Sequence, residues 1–183
     1  MIPDEGQILG LHRKYGSNEV LLGHCRTVAK VANVLAEELA QRGKKVDARI
    51  VNAGALLHDI GRNRTQTVRH GEAGAELLEG EGVDERVVAA VRKHVGAGIS
   101  AEEAPSLGLP DKDYVPKSIE ERVVCFADKM VDTSRVRPFD SEVQRFVKKG
   151  HDVQRLLALK KSLEDDLGED PERVVLNKIK ESP

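Results

Sequence analysis

The stretch Leu57-His58-Asp59-Ile60-Gly61 places a histidine and an aspartate side by side at the end of an apolar helical run. A buried carboxylate beside an imidazole costs free energy unless a cation or a paired group compensates it. An aspartate near the C-terminus of a helix also faces the unfavourable end of the helix dipole. A metal ion is the usual compensation, although a buried Arg62 paired with Asp59 would serve equally well.

Helical spacing of apolar residues continues on both sides of this stretch. Residues 18–42 carry an apolar stripe, with Ser17 as the predicted N-cap and Gly43 at the end. Further helices are expected after Asp47, over 71–80 and 84–95, after Ser118, and over most of 139–183. Because no segment alternates as a strand, the sequence predicts an all-α protein.

The segment 96–117 differs from the rest, because glycine and proline interrupt it repeatedly. We expect a long loop with one helical turn around Ala101–Ala104. A loop of this length in a compact domain is often functional, for instance as a lid, and we expect it to contribute to specificity. The predicted organisation is a helical core over residues 1–138, followed by a helical extension over residues 139–183.

Two more residues of metal-binding type lie on apolar helical faces. His24 falls within the first stripe, and Asp128 lies between Val124 and Val131 on an apolar line. Taken singly, such a histidine is more often a core residue. Asp128 alone could form an ion pair with Arg122 or Arg135. Together with His58 and Asp59, however, these residues form a nitrogen and oxygen donor set that suits Mn, Fe, Zn or Ni and leaves coordination positions open.

His70 and His94 also face inward at helical spacing, whereas His12 and His151 lack this pattern and are given no role. Basic residues lie close by in sequence, and near a metal they would hold phosphate oxygens. The alternative for each is a solvated surface charge. These basic residues are Arg62, Arg64, Lys93 and Lys129.

The overall composition limits the classes of partner. The chain has 29 Lys and Arg against 31 Asp and Glu, so it lacks the basic excess that non-specific nucleic-acid binding requires. Its two cysteines, Cys25 and Cys125, favour a reducing compartment over a disulfide framework. Neither a signal-peptide pattern nor an apolar run of membrane-spanning length is seen, so we expect a cytoplasmic protein without a membrane partner.

The order His24, His58-Asp59, Asp128 on helices resembles the HD-domain superfamily of metal-dependent phosphohydrolases, and residues 58–61 match its HDIG form. The resemblance covers about residues 18–132. It implies that these four residues bind one or two divalent ions. It also implies that His70 and His94 bind a second metal or substrate phosphates, as in binuclear HD enzymes and diadenosine-tetraphosphate hydrolases.

The same resemblance places Arg62 where many relatives have a lysine close to phosphate. It disfavours the cyclic-dinucleotide phosphodiesterase subgroup, because a Gly-Tyr-Pro motif and paired histidines are missing. The expected activity is hydrolysis of a phosphomonoester or phosphodiester, most simply of a nucleotide. Asp59, His94 and Arg62 are the predicted catalytic residues. His70, His94, Arg62 and Lys129 are the predicted phosphate-binding residues.

Two alternatives come from other classes of function. One is a catalytically silent module that binds nucleotides and regulates a partner. The other is a structural helical protein whose inward histidines are satisfied core groups. The helical extension over 139–183 resembles no known family, and it is expected to cover the site or to mediate self-association.

Overall fold

The computed structural model describes residues 1–181, and nine α-helices run through this part of the chain. They are α1 Glu5–Tyr15, α2 Glu19–Gln41, α3 Ala48–Leu57, α4 His70–Gly80, α5 Glu85–Lys93, α6 Ile119–Lys129, α7 Phe139–Lys148, α8 Gln154–Leu167 and α9 Pro171–Glu181. The all-α prediction is confirmed. None of the helices in residues 1–181 is both long and apolar enough to cross a bilayer.

A small antiparallel hairpin is also present, and the sequence did not predict it. Its strands are β1 Val131–Asp132 and β2 Arg135–Val136, with Val131 opposite Val136. Strands of two residues are too short to show alternation, so the hairpin leaves no periodic signal. It follows α6 directly and packs against α2.

The beginning of α2 differs from the prediction. Asn18, not Ser17, is the N-cap: its backbone is extended and its side-chain oxygen accepts a hydrogen bond from the amide of Leu21. The Ser17 hydroxyl instead bonds the ring of His12 and the amide of Asn63. Ser17 therefore ties α1, which the sequence did not predict, to the segment after α3.

The long helix α2 lies at the centre of the bundle. It packs against α3, α6 and α9. Four residues of its predicted apolar stripe are fully buried, namely Val28, Val31, Leu35 and Leu39. Aliphatic residues and alanine fill this core, as the scarcity of aromatics requires. Because α2, α3 and α6 meet here, the residues that they carry at one end of the bundle are held in fixed relation.

Residues 139–181 share the same core. Phe139 at the start of α7 stacks on Phe126 of α6, with ring centroids 4.8 Å apart. Leu156, Leu163 and Val175 from α8 and α9 are completely buried in it. The division of the chain at residue 138 and self-association through these helices both stay predictions.

The segment 96–117 is packed rather than open. Its one helical turn is a 3₁₀ turn at Ala104–Leu107, three residues beyond the predicted position. Lys112 forms an ion pair with the buried Glu72 at 2.9 Å, and Arg155 donates to the Gly98 carbonyl at 2.7 Å. These contacts join the segment to α4 and α8.

Gly61 explains the close approach of the HDIG stretch to α4. A Cβ at this position would lie 2.0 Å from the carbonyl oxygen of His70 and 2.4 Å from the amide nitrogen of Gly74. Both are backbone atoms that cannot rotate away, so only glycine fits. This contact sets His70 beside Asp59.

Candidate metal centre

Six side chains from separate segments converge at one end of the bundle. They are His24 on α2, His58 and Asp59 directly after α3, His70 at the start of α4, His94 directly after α5, and Asp128 on α6. In three overlapping groups of three, the ligand atoms lie within 4.8 Å of one another. The structure therefore brings together every residue that the sequence predicted as a metal ligand.

The more open half of this cluster contains His24, His58 and Asp128. The Nε2 atom of His24 lies 3.2 Å from Nε2 of His58 and 3.1 Å from Oδ1 of Asp128. His58 is fully buried, whereas the side chains of His24 and Asp128 are 15% and 17% exposed. This half therefore borders solvent.

Asp59 joins that half to a buried half that contains His70 and His94. Its Oδ1 atom lies 3.1 Å from Nε2 of His70 and 3.3 Å from Nε2 of His94. Its Oδ2 atom lies 3.7 Å from Nε2 of His58. The Asp59 carboxylate is consequently placed between the two halves, where it could contact an ion in each.

A backbone carbonyl orients each histidine of the cluster. The Nδ1 atoms of His24, His58, His70 and His94 lie 2.8, 2.7, 2.7 and 2.6 Å from the carbonyl oxygens of Thr133, Ala55, Thr67 and Val91, in that order. Because a carbonyl only accepts, each ring carries a proton on Nδ1 and turns Nε2 toward the centre. Metal-binding histidines are held in this way.

The donor set fits a divalent metal ion. Asp59 Oδ1 is buried, and it has no hydrogen-bond donor as long as the rings of His70 and His94 keep their protons on Nδ1. The Nε2 atoms of these two rings also face each other at 3.0 Å. Lone pairs and a carboxylate that converge in this way repel one another unless a cation lies between them. Imidazole and carboxylate ligands suit Mn, Fe, Zn or Ni.

The electrostatics of the two carboxylates agree with this interpretation. Burial alone would raise the pKa of Asp59, but the surrounding imidazoles, His58 first among them, hold that pKa below its ordinary value. Burial likewise opposes ionisation of Asp128, and Lys129 outweighs it, so that the pKa of Asp128 is well below its usual range. Both carboxylates are therefore ionised at neutral pH.

The histidines divide according to their surroundings. Burial lowers the pKa of His94 to about 4, so its ring is neutral at physiological pH. Burial also disfavours a charged His58, but the nearby Asp59 carboxylate reverses the effect and raises the pKa of His58 well above its ordinary value. Without an ion, His58 at the centre of the cluster is therefore the ring that binds an additional proton.

Two of the predicted basic residues touch the cluster. Nε of Arg62 lies 2.6 Å from Asp59 Oδ2, with the Arg62 side chain 34% exposed. Nζ of Lys129 lies 2.5 Å from Asp128 Oδ2 and is buried. Lys129 thus takes the place of Arg122 and Arg135, the partners that the sequence suggested for Asp128.

The other two basic residues point elsewhere. Lys93 pairs with Glu121 on α6 at 3.0 Å, although it directly precedes His94 in sequence. Arg64 lines a separate surface cavity. Proximity in sequence to the cluster therefore did not predict where the side chains of Lys93 and Arg64 lie.

A cleft of about 350 Å³ opens over His24, Asp59 and Asp128. Its walls come from three short segments and from Arg145 on α7. The lining residues of these segments are Asn18, Val20 and Leu21, then Arg62, Asn63 and Gln66, and then Val131, Asp132 and Thr133. Among the described residues, those of 96–117 line a different cavity and not this cleft. The hairpin and α7, rather than the segment expected to form a lid, therefore border this cleft.

Three residues near the site were missed by sequence reasoning. His12 is buried, because its Nε2 bonds the Leu56 carbonyl at 2.9 Å and its Nδ1 bonds Ser17 at 2.8 Å. Thr133 orients His24, and Arg145 lines the cleft. Each contact joins residues far apart in the chain, so no local pattern could have indicated it.

Comparison with solved structures shows the fold. The HD domain of the Listeria monocytogenes phosphodiesterase PgpH, in complex with cyclic-di-AMP, superimposes with a TM-score of 0.53 at 17% identity. The match covers 86% of this chain and 94% of that domain. At this identity the likeness concerns the fold alone.

Sequence relatives are closer. The chain is 40% identical over 176 residues to a protein named tRNA (cytidine(56)-2'-O)-methyltransferase from Thermoplasma volcanium, covering 95% of this chain and 51% of that protein. It therefore spans about half the length of that relative. An uncharacterized protein of Methanocaldococcus jannaschii is 40% identical over 146 residues, covering 78% of this chain and 86% of the relative.

More distant matches include Ribonuclease Y of Treponema pallidum, 38% identical over 99 residues, which are 51% of this chain and 18% of that protein. A model of the HD domain matches residues 21–131, a span that contains all six residues of the cluster. With the match to this model, the relatives and the helical fold in agreement, the chain belongs to the HD-domain family.

Proposed function

We propose that this protein is a metal-dependent phosphohydrolase that cleaves a phosphomonoester or phosphodiester of a nucleotide. The observation that carries the proposal is the buried Asp59 Oδ1, which faces the Nε2 atoms of His70 and His94 without a donor. Arg62 pairs with Oδ2 of this carboxylate, so the alternative of an arginine partner accounts for that oxygen only. Oδ1 and the two facing Nε2 atoms still have no cationic partner among the described residues. The names of similar proteins, a cyclic-di-AMP-binding phosphodiesterase and a ribonuclease, support a phosphoester of a nucleotide as the substrate.

The four residues His24, His58, Asp59 and Asp128 would hold one ion in the open half. A second ion would take Asp59, His70 and His94 as ligands. Because His70 and His94 are buried, their position favours binding of an ion over direct contact with substrate phosphate. Asp59 would serve both ions from its two oxygens.

When bound, the metal supplies Lewis acidity to water and to the phosphoryl group. Asp59 in addition orients the attacking water, since its carboxylate is ionised and central. Arg62, at the edge of the cleft, is free to place further N–H groups on phosphate oxygens and to balance the charge that develops on them. The buried Lys129 is better placed to hold Asp128 than to reach a phosphate.

The decisive experiment is metal analysis of the purified protein, followed by a phosphoester and nucleotide screen with the metal that is found. His58→Ala should lose metal and activity together, each by more than about 100-fold, since it removes a central ligand. His12→Gln is the matched control, because both nitrogens of His12 are already bonded within the protein. Full activity in His58→Ala, or no metal even after it is supplied, would end the proposal.

A second candidate is a catalytically silent module that binds a nucleotide. It is favoured by one observation: the chain corresponds to half of a relative that is named for a different reaction, methyl transfer to tRNA. The same screen separates the two functions. Metal binding and nucleotide binding without any turnover, across the nucleotides and metals tested, would favour the silent module.

A further inference from the structure

A second cavity adjoins the cleft over the metal centre. It measures about 390 Å³, and two segments of the chain contribute to both cavities. Gln66 and Arg145 line the cleft, while Val68 and Phe146 line the second cavity. Two residues of extended chain span at most about 7 Å, so the two cavities lie side by side along both walls.

The second cavity also borders the buried half of the metal centre. Val68 follows Thr67, whose carbonyl accepts the hydrogen bond from His70. Val95, on another part of its wall, directly follows His94. The cavity therefore lies close to the metal centre, on the side of the cleft that Gln66 and Arg145 line.

The walls of the cavity suit a flat, uncharged ring. Phe146 and His151 form an edge-to-face pair with ring centroids 5.7 Å apart. Val68 and Leu107, 39% and 42% exposed, add apolar surface that faces solvent. Large apolar side chains that are exposed in one concave site commonly mark a binding surface.

Three charged side chains from the described residues line the rim, and two of them, Glu103 and Arg155, are paired with each other. Arg155 binds the Glu103 carboxylate at 2.9 Å as well as the Gly98 carbonyl. This contact lowers the pKa of Glu103 to about 2, so both charges persist and neutralise each other. The third, the Asp152 carboxylate, accepts a hydrogen bond from the Gln154 amide at 2.9 Å, and no cation within residues 1–181 pairs with it. Its negative charge repels an anion, so the cavity suits a neutral ring better than a phosphate.

We propose that this cavity binds the base of a nucleoside phosphate whose phosphate lies at the metal centre. The proposal rests on the proposed function and names its substrate class. Arg145 lines the cleft and directly precedes Phe146 of the second cavity. Glu142 holds one of its N–H groups at 2.7 Å, and the others would bind the sugar-phosphate. The absence of a basic excess favours a single nucleotide over a long polynucleotide.

The test compares AMP with ribose 5-phosphate, which has the same sugar and phosphate but no base. Binding of each to the Mn²⁺-loaded protein is measured by isothermal titration calorimetry. Stacking of a base on aromatic and apolar side chains should make AMP bind about tenfold more tightly or better. Phe146→Ala should remove most of this difference and leave ribose 5-phosphate binding unchanged.

Val147→Ala is the matched control, because Val147 is the next residue of α7 and is 61% exposed outside the cavity. It should retain the full preference for AMP. Arg145→Ala should weaken both ligands alike. Leu107→Ser alters the opposite wall at an exposed position, so it tests the cavity without risk to the core and should also reduce the preference.

Equal binding of AMP and ribose 5-phosphate would overturn the base-binding cavity and leave the phosphohydrolase proposal intact. So would an unchanged preference for AMP in both Phe146→Ala and Leu107→Ser. Failure of both ligands to bind the metal-loaded protein would instead contradict both proposals.

Discussion

Three histidines of the metal centre are oriented locally, and the fourth is not. His58, His70 and His94 each donate from Nδ1 to the carbonyl of the residue three positions earlier in the chain. His24 donates to Thr133, which lies 109 residues away at the tip of the hairpin. The first three rings are therefore set by the backbone around them, whereas the fourth depends on a tertiary contact.

The backbone of the hairpin tip is strained at the residue that orients His24. Thr133 adopts a φ of +55°, a left-handed conformation that is unfavourable for a β-branched residue. The strain is tolerated where surrounding structure fixes the chain. Here, the strained residue presents its carbonyl to His24.

His12 is a buried histidine outside the metal centre, and it can be compared with the histidines inside it. It is as deeply buried as His58, His70 and His94, but both of its nitrogens bond protein atoms. The four histidines of the centre each keep Nε2 directed at other Nε2 atoms and carboxylates. Burial of a histidine is therefore less informative than where its second nitrogen points.

The largest expected effect comes from Gly61→Ala. His70 can face the other ligands only if α4 packs against the HDIG stretch. A Cβ at residue 61 would overlap the His70 carbonyl and so prevent this packing. Overpacking against backbone should lower the free energy of unfolding by about 3 kcal/mol. Urea denaturation measures this, and Mn²⁺ titration should show weakened metal binding in the same variant.

Gly10→Ala is the control for Gly61→Ala. Gly10 lies within α1, and a Cβ there would meet no atom within 4 Å. This variant should be as stable as the parent or more stable, by up to about 1 kcal/mol. Equal stability of the Gly61→Ala and Gly10→Ala proteins would show that contact with α4 does not position the site.

The difference between local contacts and contacts of distant segments explains how much could be predicted from the sequence. The helices that carry His24, His58 and Asp128 follow from apolar spacing, and so does the inward direction of His70 and His94. The hairpin, the burial of His12 and the role of Arg145 arise from contacts between distant segments, which leave no periodic pattern. The residues of the candidate metal centre could thus be predicted from the sequence, whereas the walls of the cleft could not.

The second prediction concerns the distant contact of His24. A Cβ on Gly23 would lie 2.9 Å from the Ser134 hydroxyl at the hairpin tip, so Gly23→Ala should push the tip away from His24 unless this hydroxyl rotates aside. Loss of an orienting hydrogen bond to a ligand costs about 10- to 100-fold in metal affinity. We expect weaker Mn²⁺ binding by that factor, measured by calorimetric titration, with little loss of overall stability.

A double variant isolates the cause. The hydroxyl of Ser134 is the near contact, and its Cβ is 4.0 Å from the same point. Adding Ser134→Ala to Gly23→Ala should therefore restore the metal affinity. If the double variant binds Mn²⁺ as weakly as Gly23→Ala alone, the hairpin does not act through this contact.

The smallest effect is expected from His12, and it appears in the pH dependence of stability. Burial lowers the pKa of His12 below its ordinary value of 6.5, despite the hydrogen bond to the Leu56 carbonyl. Since the unfolded chain takes up the proton first, the stability that His12 contributes is present above pH 6.5. It is lost as the pH falls from there toward the pKa of the folded state.

His12→Gln removes this titration while its amide can still reach the Leu56 carbonyl. In the presence of EDTA, urea unfolding at pH 7.5 and pH 5 should show a smaller loss of stability in His12→Gln than in the parent. His94, whose pKa burial also lowers, contributes to the remaining change, and His58, whose pKa is raised, opposes it. Parallel loss in the two proteins would mean that His12 titrates alike in the folded and unfolded chain, so that its buried hydrogen bonds do not distinguish it from a solvated ring.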